Sequence, residues 1–452
     1  MKFSTLYLGF KAGFQYAIAN KTRSIWVPIL FGLAIREVFA PYTGHPFDFE
    51  IWIRLGYYVS KGHDPYSVTG PVPGLSFPGA GLMTSIGYPP IWPFVQAGIY
   101  LAYSSLGVDN RFLYYFIIKQ PMILGDLLAG YLIFRIIEKQ GDDGRKAFRA
   151  LSFWLFCPYT ILISAVWGMF DQIVLDLVLI SILLIGLTER SALIEAFGIV
   201  LKAIPLIFLP IFALAQKSTT RILLYLAISV AVGVFLSLSP YLVFANWNIS
   251  GLEGTGSDVA GKISNSVNYW VIVAVTYGYG LLPGSLIPFL QFMSFIWIPA
   301  VIIGSIYCAD TLWKNGISER DLFLSAQFVL VIFFLARSSI NEQYVIYFIG
   351  LGIIDIYIRN RNRKIFNWVW LSALAFLLAN NVYLIRFLEP ISIYFTQVES
   401  QLVNGPAGDL RNAIMVVAGI SFTISCLFYL RSLYLEIRRS KVVQIKVAPL
   451  SP

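Results

Sequence analysis

Long apolar runs constrain the fold of this chain more than any other feature of its sequence. Residues 111–137, 222–245, 284–312 and 412–431 are the clearest of them. About 20 apolar residues in a helix cross the hydrocarbon core of a bilayer, and only helices or closed barrels satisfy their backbone groups there. Barrel strands are alternating segments of about ten residues, whereas these runs are longer and unbroken. The sequence therefore predicts an all-α polytopic membrane protein.

The composition agrees with a surface that meets lipid. Hydrophobic residues make up 58% of the 452 residues and charged residues only 13%, whereas soluble domains carry roughly 25% charged residues. The net charge of +9 is typical of cytoplasmic loops rich in Lys and Arg. We therefore do not expect nucleic acid as a partner.

The distribution of Lys and Arg predicts the topology. Cations before a first span at 24–41 place the N-terminus in the cytoplasm. Two runs, 89–107 and 192–216, would leave cations outside if each crossed the membrane once. We therefore expect a re-entrant or interfacial helix at 89–107, and two half-depth helices that meet near Lys202. The result is ten full spans plus half-helices, about ten to thirteen membrane helices in all, with both termini cytoplasmic.

We expect a single integral membrane domain over 1–452. An outer-face loop, 42–110, carries interfacial helices, including an amphipathic helix over 48–61 that lies along the membrane surface. Residues 67–87 are rich in Gly, Pro and Ser and are predicted to be irregular. Two further outer loops are predicted at 246–268 and 385–411.

This topology brings the unusual polar residues to the outer face, where charges within or near spans are costly and rarely without a role. Carboxylates beside cations suit a lipid substrate with an anionic head. If a sugar leaves a phosphate, cations must hold the developing charge and one carboxylate must take a proton from the attacking hydroxyl. Asp48 is the candidate base, and Lys202 and Arg337 are the candidate phosphate ligands. The full set is His45, Asp48, Glu50, His63, Asp64, Asp171, Lys202, Arg337, Glu342 and Gln343.

Structural roles are the alternative for several of these residues. Asp48 and Asp171 would then only cap their helices, and Asp64 before Pro65 would form a turn. The two histidines would satisfy local backbone groups instead of binding a metal ion. The remaining charges in one apolar run, Lys119 and Asp126, are expected to bind neighbouring helices.

Several motifs give the chain a family resemblance. Over residues 24–360 it resembles the GT-C glycosyltransferases, and it is most similar to the catalytic subunit of GPI mannosyltransferase I and its archaeal and bacterial relatives. The ordered stretches that carry the resemblance are Phe47-Asp48-Phe49-Glu50-Ile51-Trp52, Tyr58-Val59-Ser60-Lys61-Gly62-His63-Asp64-Pro65-Tyr66, Tyr88-Pro89-Pro90, Phe153–Pro158 with Trp167-Gly168-Met169-Phe170-Asp171, Lys202-Ala203-Ile204-Pro205, and Asn341-Glu342-Gln343-Tyr344.

The resemblance implies a GT-C-like helix bundle and an inverting hexosyltransferase, with mannose as the expected sugar. The donor would be a dolichyl- or undecaprenyl-phosphate sugar, and a glycan or lipid on the non-cytoplasmic face would accept it. The family's first-loop acidic pair is commonly Asp-x-Asp, and here Pro46 replaces the first Asp. This leaves Asp48 as the leading base, with Glu50 as its substitute, and weakens the case for a divalent metal. We expect no cofactor.

The remaining motif residues are assigned to substrate binding, and the loops 246–268 and 385–411 to acceptor choice. An accessory subunit stays open as a partner. Compact loops favour a prokaryotic plasma membrane over the endoplasmic reticulum. The substrate-binding residues are His45, Tyr88, Asp171, Glu342 and Gln343.

Two other functions compete with the transferase hypothesis. A transporter of lipid or lipid-linked glycan also uses broken helices and charges inside the membrane, although no internal repeat is evident in the sequence. A scaffold subunit without activity is the second alternative, because the first Asp of the acidic pair is missing.

Overall fold

The structure is a computed structural model, and in the part of the chain that it describes every regular element is a helix. This agrees with the predicted all-α class. The described residues are 25–66, 72, 89–141, 144–244, 247, 265–315, 318–388, 390–392 and 394–445.

These residues form eighteen α-helices, numbered in chain order. A π-helical turn at Leu162–Trp167 and short 3-10 segments at Ile204–Ile207, Gly284–Leu286, Glu342–Tyr344 and Val382–Leu388 join some of them. The α-helices are α1 Trp26–Phe39, α2 Pro46–Ser60, α3 Ile91–Ser104, α4 Arg111–Gly141, α5 Gly144–Phe156, α6 Pro158–Ile161, α7 Asp171–Leu183, α8 Thr188–Leu201, α9 Leu209–Leu214, α10 Thr219–Val243, α11 Trp270–Gly278, α12 Ile287–Met293, α13 Trp297–Asn315, α14 Glu319–Ala336, α15 Val345–Arg359, α16 Arg363–Asn380, α17 Tyr394–Val403 and α18 Gly405–Ile445.

Several of these helices are long and apolar enough to cross a membrane. Among the described residues four segments qualify, at Arg111–Gln140, Thr219–Val243, Gly284–Lys314 and Gly405–Arg439. The number rises to six if two bent pairs each form one span, α5 with the segment Pro158–Trp167 (46°) and α16 with Val382–Leu388 (62°). These segments are consistent with an integral membrane protein. The larger predicted number of spans stays a prediction.

The surface of these helices is apolar. On α10 the exposed side chains include Phe235 at 65% and Leu242 at 81%, and on α18 they include Val417 at 67%. Exposed aliphatic and aromatic side chains over several neighbouring helices exceed the apolar patches of ordinary soluble surfaces. A lipid bilayer is the environment that these surfaces fit.

Charged side chains inside the bundle join helices to one another. Arg36 of α1 lies 2.5 Å from Asp126 of α4, and both are fully buried. Ser164 donates a hydrogen bond to the same carboxylate at 2.6 Å. The Lys119 ammonium of α4 donates to the backbone oxygens of Thr43 and Ala165. Asp126 thus binds a neighbouring helix, as the sequence predicts, and Lys119 binds the connection before α2 and the π-helical turn.

The helix predicted over 48–61 forms as α2, and other parts of the protein cover both of its faces. Its residues Phe49, Trp52, Ile53 and Leu55 are each at most 1% exposed, because α2 packs along α3 and the Phe49 ring stacks on Tyr115 of α4 with centroids 4.5 Å apart. The amphipathic pattern did indicate a helix, but the structure surrounds it with other helices instead of laying it along a surface. Gly56 permits this packing, since a Cβ there would lie 2.8 Å from the Gln96 carbonyl oxygen.

The structure describes two of the other predicted segments, 192–216 and 385–411, largely or completely. The run 192–216 breaks where it was expected to, because α8 ends at Leu201 and Lys202 is extended before a 3-10 turn. Most of 67–87 and of 246–268 lies outside the described residues. The predicted outer loop 385–411 contains α17 and the first residues of α18.

Candidate functional site

Asp48 sits in the first turn of α2 and is held by side chains from elsewhere. His45 precedes the helix in an extended conformation, and Pro46 begins it. The Asp48 Oδ2 atom accepts a hydrogen bond from Trp167 Nε1 at 2.7 Å and lies 3.1 Å from His45 Nδ1. The carboxylate is only 7% exposed. Among the described residues no side-chain hydrogen bond caps the start of α2, and Asp48 accepts its hydrogen bond from Trp167.

Aromatic stacking and backbone hydrogen bonds fix the residues before Asp48. The His45 ring stacks on Trp167 with centroids 5.0 Å apart, and Phe387 packs against both rings. The Gly44 N–H donates to the Phe387 carbonyl oxygen, and the His45 N–H donates to that of Trp167. Gly168 adopts φ +90° with Phe49 directly against it, a conformation that favours glycine. The start of α2 is therefore held by two distant segments of the chain, one at Trp167 and one at Phe387.

A buried ion pair lies next to Asp48. Lys202 Nζ is 2.7 Å from Asp171 Oδ2, and the two side chains are 7% and 0% exposed. Asp171 begins α7, where a carboxylate is stabilised by the helix dipole. The Lys202 ammonium also faces the rings of Phe170 and Tyr344, at 5.1 and 5.3 Å from their centroids. The helix break at Lys202 thus brings a cation to the start of α7.

Glu342 supplies a third buried carboxylate of the site. It is 5% exposed, and its Oε1 accepts a hydrogen bond of 2.6 Å from Asn380 Nδ2. Tyr159 donates to its backbone oxygen at 2.7 Å. Two buried amide oxygens near it, Gln343 Oε1 and Asn381 Oδ1, have no hydrogen-bond partner among the described residues. Buried polar atoms are otherwise nearly always paired, so these two can receive hydrogen bonds from a bound molecule.

Two carboxyls of the site, those of Asp48 and Glu342, have opposite pKa shifts. Burial raises the pKa of Asp48, but His45, the Trp167 N–H and the Lys202 charge lower it below its ordinary value of 3.8. Burial raises the pKa of Glu342 above 4.5, and the Asn380 hydrogen bond and the charges of His45 and Arg386 offset only part of this. Asp48 therefore stays ionised more readily than an ordinary carboxyl, and Glu342 less readily.

The structure gathers five of the predicted site residues into one group, which we name the Asp48 group: His45, Asp48, Asp171, Lys202 and Glu342. The members lie at the start of α2, the start of α7, the break after α8 and the connection between α14 and α15. Gln343 follows Glu342 in the chain and is also buried.

Other predicted residues lie elsewhere. Glu50 follows Asp48 by two positions, about 200° around a helix, and its charge acts on Arg54. Arg337 lies over the rings of Trp297 and Phe333 and donates to the Ser339 carbonyl oxygen.

Of the other candidate residues in the first loop, the structure describes His63 and Asp64 but not Tyr88. Asp64 accepts a hydrogen bond from the Tyr66 N–H, which is the turn that the sequence predicts. The nearest aromatic ring that His63 contacts is that of Tyr58. Tyr88 lies outside the described residues. No group of three or more His, Cys, Asp or Glu side chains in the described part could hold a metal ion.

Three residues that complete the site were not predicted from the sequence. Trp167 donates to Asp48, Asn380 donates to Glu342, and Phe387 covers His45. Trp167 stands in one of the motifs that carry the family resemblance. Asn380 and Asn381 form an amide pair at the end of an apolar run, and such a pair could have indicated a polar site there.

Comparison of the chain with models of known protein families and with curated proteins finds no match.

The Lys202–Asp171 pair makes a direct prediction about stability. Lys202→Met leaves a buried carboxylate without its cation, and we expect a loss of about 3–5 kcal/mol in the free energy of unfolding. Adding Asp171→Asn should restore most of it, because Asn also suits a helix start. The control is Lys314→Met, since Lys314 pairs with Asp310 at 2.8 Å on the surface and should cost at most about 1 kcal/mol. Thermal unfolding in detergent measures all three, and a Lys202→Met protein as stable as wild type would contradict the buried pair.

The opposite pKa shifts predict opposite effects of pH. A raised pKa in the folded state gives stability that is lost as the pH rises, so Glu342→Gln should raise the melting temperature at pH 7 and lose this advantage towards pH 4. A lowered pKa gives stability that is lost as the pH falls, so Asp48→Asn should lower the melting temperature at pH 7. That deficit should shrink only below pH 3.8. Melting curves from pH 3 to 8 test both, and shifts of equal sign would refute the assignment.

Proposed function

We propose that this protein is an inverting glycosyltransferase that uses a polyprenyl-phosphate sugar. The sugar is a hexose, with mannose favoured, and the acceptor is a glycan or a lipid. The observation that carries the proposal is the Asp48 group itself. It sets an ionised carboxylate beside a buried Lys–Asp pair, inside a bundle whose outer surface fits a lipid bilayer. Such a site suits a substrate with a phosphate, a sugar and a long apolar tail.

Asp48 is the base in this mechanism. His45 and Trp167 both contact Oδ2, so Oδ1 is the oxygen that meets the acceptor. The acceptor hydroxyl gives its proton to Asp48 as its oxygen bonds to C1 of the sugar. The bond from C1 to the phosphate oxygen breaks, and its electron pair leaves with the phosphate. Attack from the side opposite the phosphate inverts the anomeric configuration. Because phosphate is a good leaving group, a carboxylate that stays ionised serves better than a stronger base that is often protonated.

Lys202 holds the leaving phosphate. Its ammonium has three N–H donors, and one of them is directed to Asp171. The other two can bind phosphate oxygens, where fixed positive charge stabilises the leaving group. Asp171 keeps the ammonium in position, and the rings of Phe170 and Tyr344 restrict its movement. Arg337 was the second predicted phosphate ligand, and its contacts with Trp297 and Phe333 favour a structural role instead.

Glu342 and its neighbours bind sugar hydroxyls in this proposal. A carboxylate accepts hydrogen bonds from hydroxyls, and amides both donate and accept them. Glu342 and Asn380 lie against each other, and next to them are the side-chain oxygens of Gln343 and Asn381, which lack partners in the described part of the chain. Their fixed geometry would select among hexoses by the hydroxyls that they can reach.

The membrane arrangement is part of the proposal. Ten or more spans place both termini in the cytoplasm and the Asp48 group at the non-cytoplasmic face, with the prokaryotic plasma membrane favoured. The donor then enters sideways from the lipid. The helix break at Lys202 also suits a transporter. Against that function, the Asp48 group lies at the ends of α7, α8 and α14 and not in their middles.

Substitution of the base tests the proposed mechanism. The purified chain is incubated with labelled dolichyl-phosphate mannose and a native lipid extract, and labelled product is measured. Asp48→Asn keeps the shape of the side chain but cannot take the proton, so we expect transfer to fall at least about 100-fold, the lower end of what general-base catalysis contributes.

Glu50→Gln is the matched control, because it removes the neighbouring carboxylate of the same helix. It should keep transfer within about threefold of wild type. Normal transfer by Asp48→Asn together with loss in Glu50→Gln would move the base to Glu50 and refute the proposed mechanism.

A further inference from the structure

A cavity lies at the end of the molecule away from the Asp48 group. Its volume is about 470 Å³. Its lining combines the turn after α7, the end of α9, the start of α10 and the start of α14. The lining residues on which the argument depends are Leu183, Ile185, Gln216, Lys217, Arg221 and Glu319.

Three helices show that this cavity and the Asp48 group lie at opposite ends of the bundle. α7 begins at Asp171 and ends at Leu183, which lines the cavity, and its thirteen residues span roughly 18 Å. α8 begins at Thr188, which bonds a cavity residue, and ends before Lys202. α14 runs from Glu319 to the connection before Glu342. The cavity is therefore separate from the proposed transferase site.

Buried hydrogen bonds hold the floor of the cavity. Gln216 is 6% exposed, and its Oε1 accepts from Thr188 Oγ1 at 2.8 Å. Its Nε2 donates to the backbone oxygens of Ile185 and Phe212. The next residue, Lys217, has φ +61°, a strained conformation for a residue with a side chain. The turn that carries Lys217 is thus held in one shape by Gln216.

The charge around the cavity is positive. Glu319 adds a carboxylate to the lining, but Lys139 contacts it at 2.8 Å and Gln140 at 3.0 Å. Lys139, which lies outside the lining, therefore offsets the negative charge of Glu319. Lys217 and Arg221 are exposed, and both flank the start of α10, whose first turn has no acidic residue and no side-chain cap from the described residues. Two cations and the positive end of a 25-residue helix favour an anion with several oxygens.

We propose that this cavity binds the phosphate group of an anionic membrane lipid. The surface of α10 beyond Arg221 identifies the lipid as the source of the phosphate. Leu224 is 38% exposed, Phe235 is 65% exposed and Leu242 is 81% exposed. At about 100° per residue all three lie within about 60° of Arg221 around the helix, so an apolar strip continues from the cavity along α10. A headgroup bound by Lys217 and Arg221 has its acyl chains along this strip. The site does not depend on the transfer reaction.

Lipid titration of the purified full-length protein tests this site. Native mass spectrometry measures binding of short-chain phosphatidic acid, with phosphatidylcholine of the same chain length and inorganic phosphate as the comparison probes. We expect wild type to prefer phosphatidic acid. Lys217→Gln with Arg221→Gln should weaken that binding about 25-fold, since each cation near an anionic headgroup accounts for roughly a factor of five.

A matched control removes two cations nearby. Lys146→Gln with Arg149→Gln changes the start of α5, which follows the end of α4 where Lys139 reaches the cavity. This pair should keep binding within about threefold of wild type. Arg221→Lys keeps the charge and should bind within about threefold as well, and melting curves establish that each variant is folded.

Two results would overturn the proposal. Equal weakening by both double variants would mean that general surface charge attracts the lipid. Binding of inorganic phosphate through Lys217 and Arg221, with no preference for phosphatidic acid, would make the ligand a soluble phosphate. Loss of binding in Lys217→Gln/Arg221→Gln alone, with phosphatidylcholine and inorganic phosphate unbound, supports the lipid site.

Discussion

The ammonium group of Lys119 is the contact on which the candidate site depends most. It is fully buried in α4 and donates to the backbone oxygens of Thr43 and Ala165 at 2.5 and 2.6 Å. A buried charge is very costly unless it is hydrogen-bonded, so these contacts are strongly favoured once α4 forms. They join the residues just before α2 to the π-helical turn that ends at Trp167. Together with the His45 N–H bond to the Trp167 carbonyl oxygen, Lys119 thus holds these two segments where Trp167 can donate to Asp48.

The site is built almost entirely at the places where helices begin, end or break. Asp171 begins α7, Lys202 follows the end of α8, and Glu342 lies in the turn between α14 and α15. Helix ends leave backbone groups unpaired and let side chains from separate elements meet. The long helices behind them supply a rigid frame whose outer surface is apolar. This division explains how polar chemistry can sit inside a protein that is mostly hydrophobic: the charged groups of the site are buried, and many of the exposed side chains of the long helices are apolar.

Some of this arrangement could be predicted from the sequence, and the rest depends on tertiary contacts. A lysine in an apolar run, followed by Pro205, was enough to predict the break at Lys202. Asp48 and Glu50 are two positions apart and therefore point to opposite sides of a helix. The sequence could thus have shown that they do not share one site, even though both were assigned to catalysis. The burial of α2 could not be predicted, because an apolar stripe suits a neighbouring helix as well as a membrane surface. The role of Trp167 was equally hidden, since it arises from a π-helical turn whose partner lies 119 residues earlier in the chain.

The central claim is that the Asp48 group breaks the bond between a sugar and a lipid phosphate. The most direct measurement uses liposomes that contain the wild-type protein, a native lipid extract and dolichyl-phosphate mannose with a label in the sugar. We expect the label to leave the phosphate and to appear in a new product with inverted anomeric configuration. Movement of intact labelled donor across the bilayer, without any new glycosidic bond, would contradict a transferase and favour a transporter.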